Sequence, residues 1–291
     1  MKIALEWFIN PDHLPFIVAK ELGFYKKYGI EDFTIIEPNE HYDGLKEIKE
    51  KKIEFATNEP LHLIEQFHDD IITLGMFFET KGGVVMKKDS FERLKDGENI
   101  KVTSPVSNNE TNSIGFEIIK RYCNKQGFEV NKDQVSFHAK DFYHTKNMKE
   151  GYDAGWLYFY NFEGVEIAHT DLDVIYMDAQ SAGFANFAAL DIFTSKSYYS
   201  ANKEKVEKFL DATKEAIAFI ATNPKECFDC YYHYTKQEKS DIMDQILVET
   251  AKCFNPKFSS SYEKELPILE FFQEIGISDL SKEQFKTAFL G

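Results

Sequence analysis

Residues 3–25 read Ile3-Ala4-Leu5-Glu6-Trp7-Phe8-Ile9-Asn10-Pro11-Asp12-His13-Leu14-Pro15-Phe16-Ile17-Val18-Ala19-Lys20-Glu21-Leu22-Gly23-Phe24-Tyr25. The apolar run at 3–7 predicts a strand and the polar residues 10–13 a turn. Residues 14–22 predict a helix, and Gly23, free of a side chain, suits the left-handed residue that ends one. Strand, turn and helix in that order make one βα unit.

The same grammar continues outward. Strands are predicted at 33–37 and 53–56, the latter ending in Thr57-Asn58-Glu59-Pro60, with helices at 42–51 and 61–67 and further strands at 71–78 and 83–87. It restarts with a strand at 100–103, a polar turn at Ser107-Asn108-Asn109-Glu110-Thr111-Asn112 and a helix at 113–125. Strands at 135–138, 153–157 and 174–177 and a helix at 142–149 follow. The chain then turns through Gly183 and Ala185 into 190–195 and ends in helices at 203–222, 224–234, 239–253 and 264–273. A chain of 291 residues exceeds one typical hydrophobic core. The expected architecture is therefore a two-lobed α/β protein, with parallel-rich sheets flanked by helices and a helical C-terminal region. Residues 1–88 and 186–291 are assigned to one lobe and 89–185 to the other, with a ligand cleft between them.

Apolar residues make up 43% and charged residues 29% of the chain, which excludes wholesale disorder and a membrane bundle. No apolar run approaches the ~20 residues that span a bilayer. A formal net charge of −15 repels phosphate backbones and anionic lipid, so neither nucleic acid nor membrane insertion is expected. The start of the chain carries no export signal, and Cys123, Cys227, Cys230 and Cys253 are too sparse for a disulfide framework. A cytoplasmic location is expected; a leader removed beforehand would make the protein periplasmic or lipid-anchored. No long heptad decides the oligomeric state, and a homodimer stays open.

In open α/β sheets ligands lie outside the carboxyl ends of the strands, which selects the loops 7–13, 57–60, 104–113, 156–163 and 179–186. Trp7 with Asn10, Asp12 and His13 can clamp a flat heterocycle by stacking and edge hydrogen bonds; the other reading is a plain strand-to-helix turn. Asn58 and Glu59 end the third strand. His62 starts a helix whose dipole disfavours its protonation, and it is read either as a cleft contact or as a structural histidine. Ser107 and Asn108 can receive an anionic group, but without glycines and beside Glu110 helix capping is favoured. Trp156, Tyr158 and Tyr160 follow a strand as a second jaw, with Glu163 accepting hydrogen bonds from a ligand amino group, although part of this aromatic set must be core. Phe184 and Asn186 complete the candidates. Cys227, Cys230, His233 and Cys253 have a superficial zinc spacing, but i and i+3 thiols share a buried helix face, and no metal is expected. No nucleophile elbow, Walker loop, dinucleotide fingerprint or zinc-protease motif occurs.

The segments 5–13 and 16–25 resemble the family that includes thiamine-pyrimidine-precursor-binding proteins and fungal thiamine pyrimidine synthases. Asp153-Ala154-Gly155-Trp156 and the stretch 196–209 strengthen the resemblance. It implies a type II periplasmic-binding-protein fold and a first-loop ring, Trp7 by position, stacked on a pyrimidine. In the synthase branch, a lysine forms a Schiff base with pyridoxal phosphate; Asn58 stands there in this chain. The branch's histidine matches His62. Its cysteine-rich, iron-associated stretch matches the region 180–190, where Ser181-Ala182-Gly183-Phe184-Ala185-Asn186 holds no cysteine. The expectation is a soluble small-molecule binding protein with no cofactor and no catalytic residue, whose lobes hinge shut on a pyrimidine-like or thiamine-precursor-like ligand. The alternatives are a pyridoxal-phosphate-dependent enzyme of thiamine pyrimidine biosynthesis and the substrate-binding receptor of an ABC importer.

Overall fold

The computed structural model describes residues 1–38, 44–185 and 187–290. Strand β1 (Lys2–Ala4) leads through a 3-10 turn (Pro11–His13) into helices α1 (Leu14–Glu21) and α2 (Phe24–Lys27). Strand β2 (Thr34–Ile36), helix α3 (Gly44–Lys49), strand β3 (Phe55–Asn58), helix α4 (His62–Glu65) and strand β4 (Ile71–Glu79) follow. Next come β5 (Gly82–Lys87), α5 (Lys88–Lys95), β6 (Ile100–Ser104), α6 (Asn109–Lys125) and β7 (Val135–Ala139). After them lie α7 (His144–Lys149), β8 (Ala154–Phe159), α8 (Glu163–Ala168) and β9 (Val174–Asp178). Strand β10 (Ala189–Ser195) then opens a run of helices: α9 (Lys196–Ala201), α10 (Lys203–Thr222), α11 (Pro224–Thr235), α12 (Asp241–Ala251), α13 (Tyr262–Glu274) and α14 (Lys282–Lys286). Among the described residues, no helix is long and apolar enough to cross a membrane.

Two compact units result. The first comprises Met1–Glu79, Ala189–Leu269 and Leu280–Gly291, the second Thr80–Ala188 and Glu270–Asp279. The first unit's sheet has the order β2-β1-β3-β10-β4; β1, β2 and β3 are parallel, and β10 runs antiparallel to β3 and β4. Its core gathers the apolar faces of these strands and of α1, α10 and α11. The second unit's sheet has the order β7-β6-β8-β5-β9, with β6, β7 and β8 parallel and β5 antiparallel to β8 and β9.

Both sheets are thus mixed, and one antiparallel strand inside each shifts what the sequence predicts. β5 hydrogen-bonds only to β8 and β9, so it belongs to the second unit and the division falls at 79/80 instead of 88/89. Residues 270–279 also join the second unit: Phe271 stacks on Phe184 at 4.7 Å, and Arg121 Nη2 lies 2.8 Å from Glu274 Oε1. β1 stops at Ala4, and the chain bends at Glu6, whose side chain bonds His13 and Thr57. Helix α5 escapes the periodicity, since Phe91 and Leu94 are its only large apolar residues. Of the helix expected at 42–51, Tyr42 and Asp43 lie outside the described residues.

The β4–β10 pairing carries register shifts on either side of Asp191 and Ile192, and Gly75 opposite them takes φ +124°. A β-carbon at Gly75 would sit 2.1 Å from the carbonyl oxygen of Phe258. Gly75→Ala therefore combines backbone strain with a clash against main chain. It is expected to lower unfolding stability by roughly 2–3 kcal/mol, measured by urea denaturation.

Candidate functional site

Because β1, β2 and β3 are parallel, the residues that follow Ala4, Ile36 and Asn58 leave one edge of the first sheet. At that edge Glu6 and His13 form a buried pair, with Glu6 Oε1 2.8 Å from His13 Nε2. The other Glu6 oxygen accepts the Thr57 hydroxyl at 2.5 Å, tying the first loop to the end of β3. His13 Nδ1 accepts the Asn10 N–H at 3.2 Å, so the ring proton sits on Nε2 and faces Glu6. Burial by itself would raise the Glu6 pKa. The adjacent His13 and the hydrogen bonds from His13 and Thr57 outweigh it and hold the carboxyl below its ordinary range. For His13, burial opposes the charge, but Glu6 prevails and raises the pKa.

Asn10 is equally committed: Oδ1 accepts the Asp12 N–H at 2.8 Å and Nδ2 donates to the Phe8 carbonyl at 3.3 Å. Both ring nitrogens of His13 are engaged, and the residue is wholly buried. Asn10 and His13 therefore build the loop's shape, and the ring of Trp7 is held half-buried on that frame. Phe8 lies beside it, ring centroids 5.9 Å apart, and is 51% exposed.

Asn58 is buried, and its Oδ1 accepts the Glu59 N–H at 3.1 Å. His62 lies between two carboxylates, Nε2 3.3 Å from Glu59 Oε2 and Nδ1 3.1 Å from Glu65 Oε2. Burial disfavours its charge, yet the two glutamates lift its pKa to about 10. The expectation that the helix dipole keeps it neutral is overturned, because paired carboxylates at contact distance outweigh partial charges at the end of a four-residue helix. A crevice with about 170 Å3 of empty space borders His62, Gln66, His68 and Ile71. That is below the roughly 300 Å3 at which small-molecule pockets begin.

In the second unit, β6, β7 and β8 are parallel, and their carboxyl ends share an edge. Asn108 caps α6, its Oδ1 accepting the Thr111 N–H at 2.8 Å, while Ser107 Oγ accepts from Asn112 Nδ2 at 3.1 Å. Both side chains serve the helix start. Trp156 and Tyr158 do not follow the strand but lie within it, on opposite faces. Trp156 pairs with Val84 and Tyr158 with Gly83, leaving Leu157 as an extra residue between them. Trp156 is fully buried, stacked on Phe187 at 4.9 Å, and Tyr158 packs on Tyr176 at 5.1 Å. A single jaw made of both rings is therefore ruled out by this bulge. Glu163 is buried and accepts the Phe159 N–H at 2.9 Å. Phe184 is core, parallel to Phe271, and Asn186 lies outside the described residues.

Tyr160 remains 54% exposed after β8, and Tyr143, after β7, is 63% exposed. Sequence reasoning missed Glu6, Phe8 and Tyr143. Phe8 lies within the selected loop 7–13 next to Trp7, and Tyr143 falls in the helix expected at 142–149, outside the selected loops. Among the described residues no group of three His, Cys, Asp or Glu side chains is placed to hold a metal ion. Cys227 is buried in the first core, and His233 Nδ1 lies 2.7 Å from Glu21.

The model of the family described as NMT1/THI5 like matches residues 10–227. The chain belongs to that family. It is similar to a Haemophilus influenzae protein named for thiamine biosynthesis, at 24% identity over 95% of this chain and 87% of that protein. It also resembles a 4-amino-5-hydroxymethyl-2-methylpyrimidine phosphate synthase of Aspergillus parasiticus, at 23% identity over 94% of this chain and 82% of the synthase. Among solved structures, the periplasmic aliphatic sulphonate binding protein SsuA of Escherichia coli superposes with a TM-score of 0.71, at 11% identity over 100% of this chain and 92% of that one. The fold is that of periplasmic binding proteins.

At the position that the resemblance matches to the synthase lysine stands a residue of different chemistry. Asn58 offers an amide whose oxygen is already taken by a backbone N–H, with no amine to join an aldehyde. The described residues from 180 to 190 carry no thiol.

A raised pKa means that the His62 contribution is complete below pH 6.5 and is lost as pH rises through about 10. His62→Gln is expected to cost about 1.5–3 kcal/mol at pH 6, the worth of a hydrogen bond to a charged group. The deficit should shrink steadily toward pH 10 in urea titrations. A deficit constant over that range would mean that His62 is not held as a cation.

Proposed function

We propose that this protein binds a flat amino-pyrimidine of the thiamine-precursor class and acts by closing its two units on the ligand, without covalent chemistry. The observation that carries the reading is the character of what stays exposed at the carboxyl edges. In the first unit Phe8 follows β1 beside the half-buried Trp7 and is 51% exposed; in the second unit Tyr143 and Tyr160 follow β7 and β8 and are 63% and 54% exposed. Large rings at such edges offer stacking area with little rotamer entropy to lose. The thiamine-related names of the relatives supply the ligand class, and Asn58 argues against the synthase's own chemistry. The four free cysteines suit a reducing, cytoplasmic setting. The likeness to a periplasmic sulphonate-binding protein supports an importer receptor as the second reading.

Thermal-shift and calorimetric titration with 4-amino-5-hydroxymethyl-2-methylpyrimidine, its phosphate, pyridoxal phosphate and aliphatic sulphonates test the proposal. A pyrimidine at ~100 times its Kd is expected to add about 2.7 kcal/mol of stability. Trp7→Ala should weaken binding by about 1–3 kcal/mol while the fold persists. A yellow, borohydride-sensitive complex with pyridoxal phosphate would favour the synthase, and a response to sulphonates alone the importer receptor.

A further inference from the structure

Within the second unit, β8 carries a conformation that its sequence does not announce. Leu157 has φ +65°, a left-handed value that is costly for a branched side chain, and it is the extra residue of a β-bulge opposite Gly83 and Val84. The bulge has a definite consequence for the faces of the sheet. Trp156 pairs with Val84 and Phe159 with Gly82, so both stand on the face where Phe187 stacks on each, at 4.9 and 6.1 Å. Tyr158 pairs with Gly83 and joins Val85, Met148 and Ile167 on the other face. In a regular strand Tyr158 would follow Trp156 and Phe159 would cross over. The bulge exchanges the two, and so sets how the chain leaves β8 toward Tyr160 and Glu163.

His144 holds this arrangement. The residue is wholly buried, and its Nε2–H donates to the Leu157 carbonyl at 3.2 Å. Nδ1 lies 3.4 Å from the Thr103 hydroxyl. Burial pushes the pKa down to about 4, so the imidazole is neutral and keeps its single donor on Nε2. Room for the ring exists only because residue 155 is glycine: a β-carbon there would sit 2.4 Å from Nδ1. Gly155, His144 and Leu157 therefore form one device, a donor seated against a bare strand and aimed at the carbonyl of the strained residue.

We infer that His144 is a positioning residue for the Tyr160–Glu163 segment, acting by latching the Leu157 bulge; its role in binding rests on the ligand reading proposed above. His144 fixes which side chains reach the carboxyl edge: Tyr160, exposed beside Tyr176 at 5.9 Å, and Glu163, whose carboxylate accepts the Phe159 N–H.

The test compares wild type, His144→Phe, His144→Gln and the double variant His144→Phe/Leu157→Gly. Two readouts are taken on each: amide hydrogen exchange across residues 157–160, and Kd for 4-amino-5-hydroxymethyl-2-methylpyrimidine phosphate by calorimetry. His144→Phe keeps the ring volume without the donor and is expected to raise both exchange rate and Kd by about tenfold or more. His144→Gln, which can still donate, should stay near wild type. Leu157→Gly added to His144→Phe should restore both values, because glycine takes a positive φ without strain. That rescue separates a latch from mere packing, and it covers the case in which His144→Phe alone does not fold. Wild-type exchange and affinity in His144→Phe, or no recovery in the double variant, would overturn the inference. If wild type itself binds no pyrimidine, the ligand reading falls and the positioning role with it, while exchange, which needs no ligand, still decides whether the latch exists.

Discussion

Phe209 on α10 is the contact on which the first unit depends. Its ring lies parallel to Phe55 of β3 at 4.3 Å, and stacks on Phe33 at 5.7 Å and Tyr25 at 5.8 Å. These partners belong to the first three βα units, whereas Phe209 belongs to the chain that returns after residues 80–188 of the second unit. Tyr25 adds a hydrogen bond to Thr213, one turn further along α10, at 3.1 Å. Aromatic rings of this size each bury on the order of 150–250 Å2, so the stack is a large share of what seals the β1–β3 side. The excursion through residues 80–188 is tolerable because both of its ends are anchored in adjacent strands, β4 and β10.

On that frame the polar residues at the strand ends have little freedom. Glu6, Asn10, His13 and Thr57 satisfy one another, as buried polar groups must. The second unit repeats the pattern. Asp153 accepts from Ser90 Oγ at 2.8 Å, Arg93 Nη2 at 2.5 Å and the Lys101 N–H at 2.8 Å. The carboxylate that opens the Asp153-Ala154-Gly155-Trp156 segment thus ties α5 and β6 to the start of β8. Strand-end polar side chains in this fold first hold loops, and only what they leave over is available to a ligand.

This explains which parts of the molecule were legible in the sequence. The period-3.6 pattern of 203–222 matches α10 residue for residue, and Gly23 takes the left-handed φ of +77° that its place after α1 requires. The partner of β5 was not legible, since an apolar run such as Val84-Val85-Met86 states that a strand is buried and not which sheet buries it. Nor was the bulge: the left-handed position is a leucine, with no glycine to mark it. At the site, Trp7 could be placed from the βα grammar alone. The charge state of His62 required adding Glu59 and Glu65, three residues to either side, to a dipole argument that considers only the backbone.

The division between committed polar groups and exposed rings sets a bound on how binding energy is assembled. Ring stacking contributes about 0.5–1.5 kcal/mol per pair, so two or three rings give about 1–4.5 kcal/mol. A micromolar complex needs about 8 kcal/mol, so stacking alone falls short of it. On the reading proposed above, the difference would come from apolar burial and edge hydrogen bonds to the ligand, which favour one conformational population only by their differential affinity for it. On that reading, affinity depends as much on whatever fixes the loop geometry as on the rings themselves. Internal pairs such as Glu6 with His13 would then serve recognition by holding the first loop in shape.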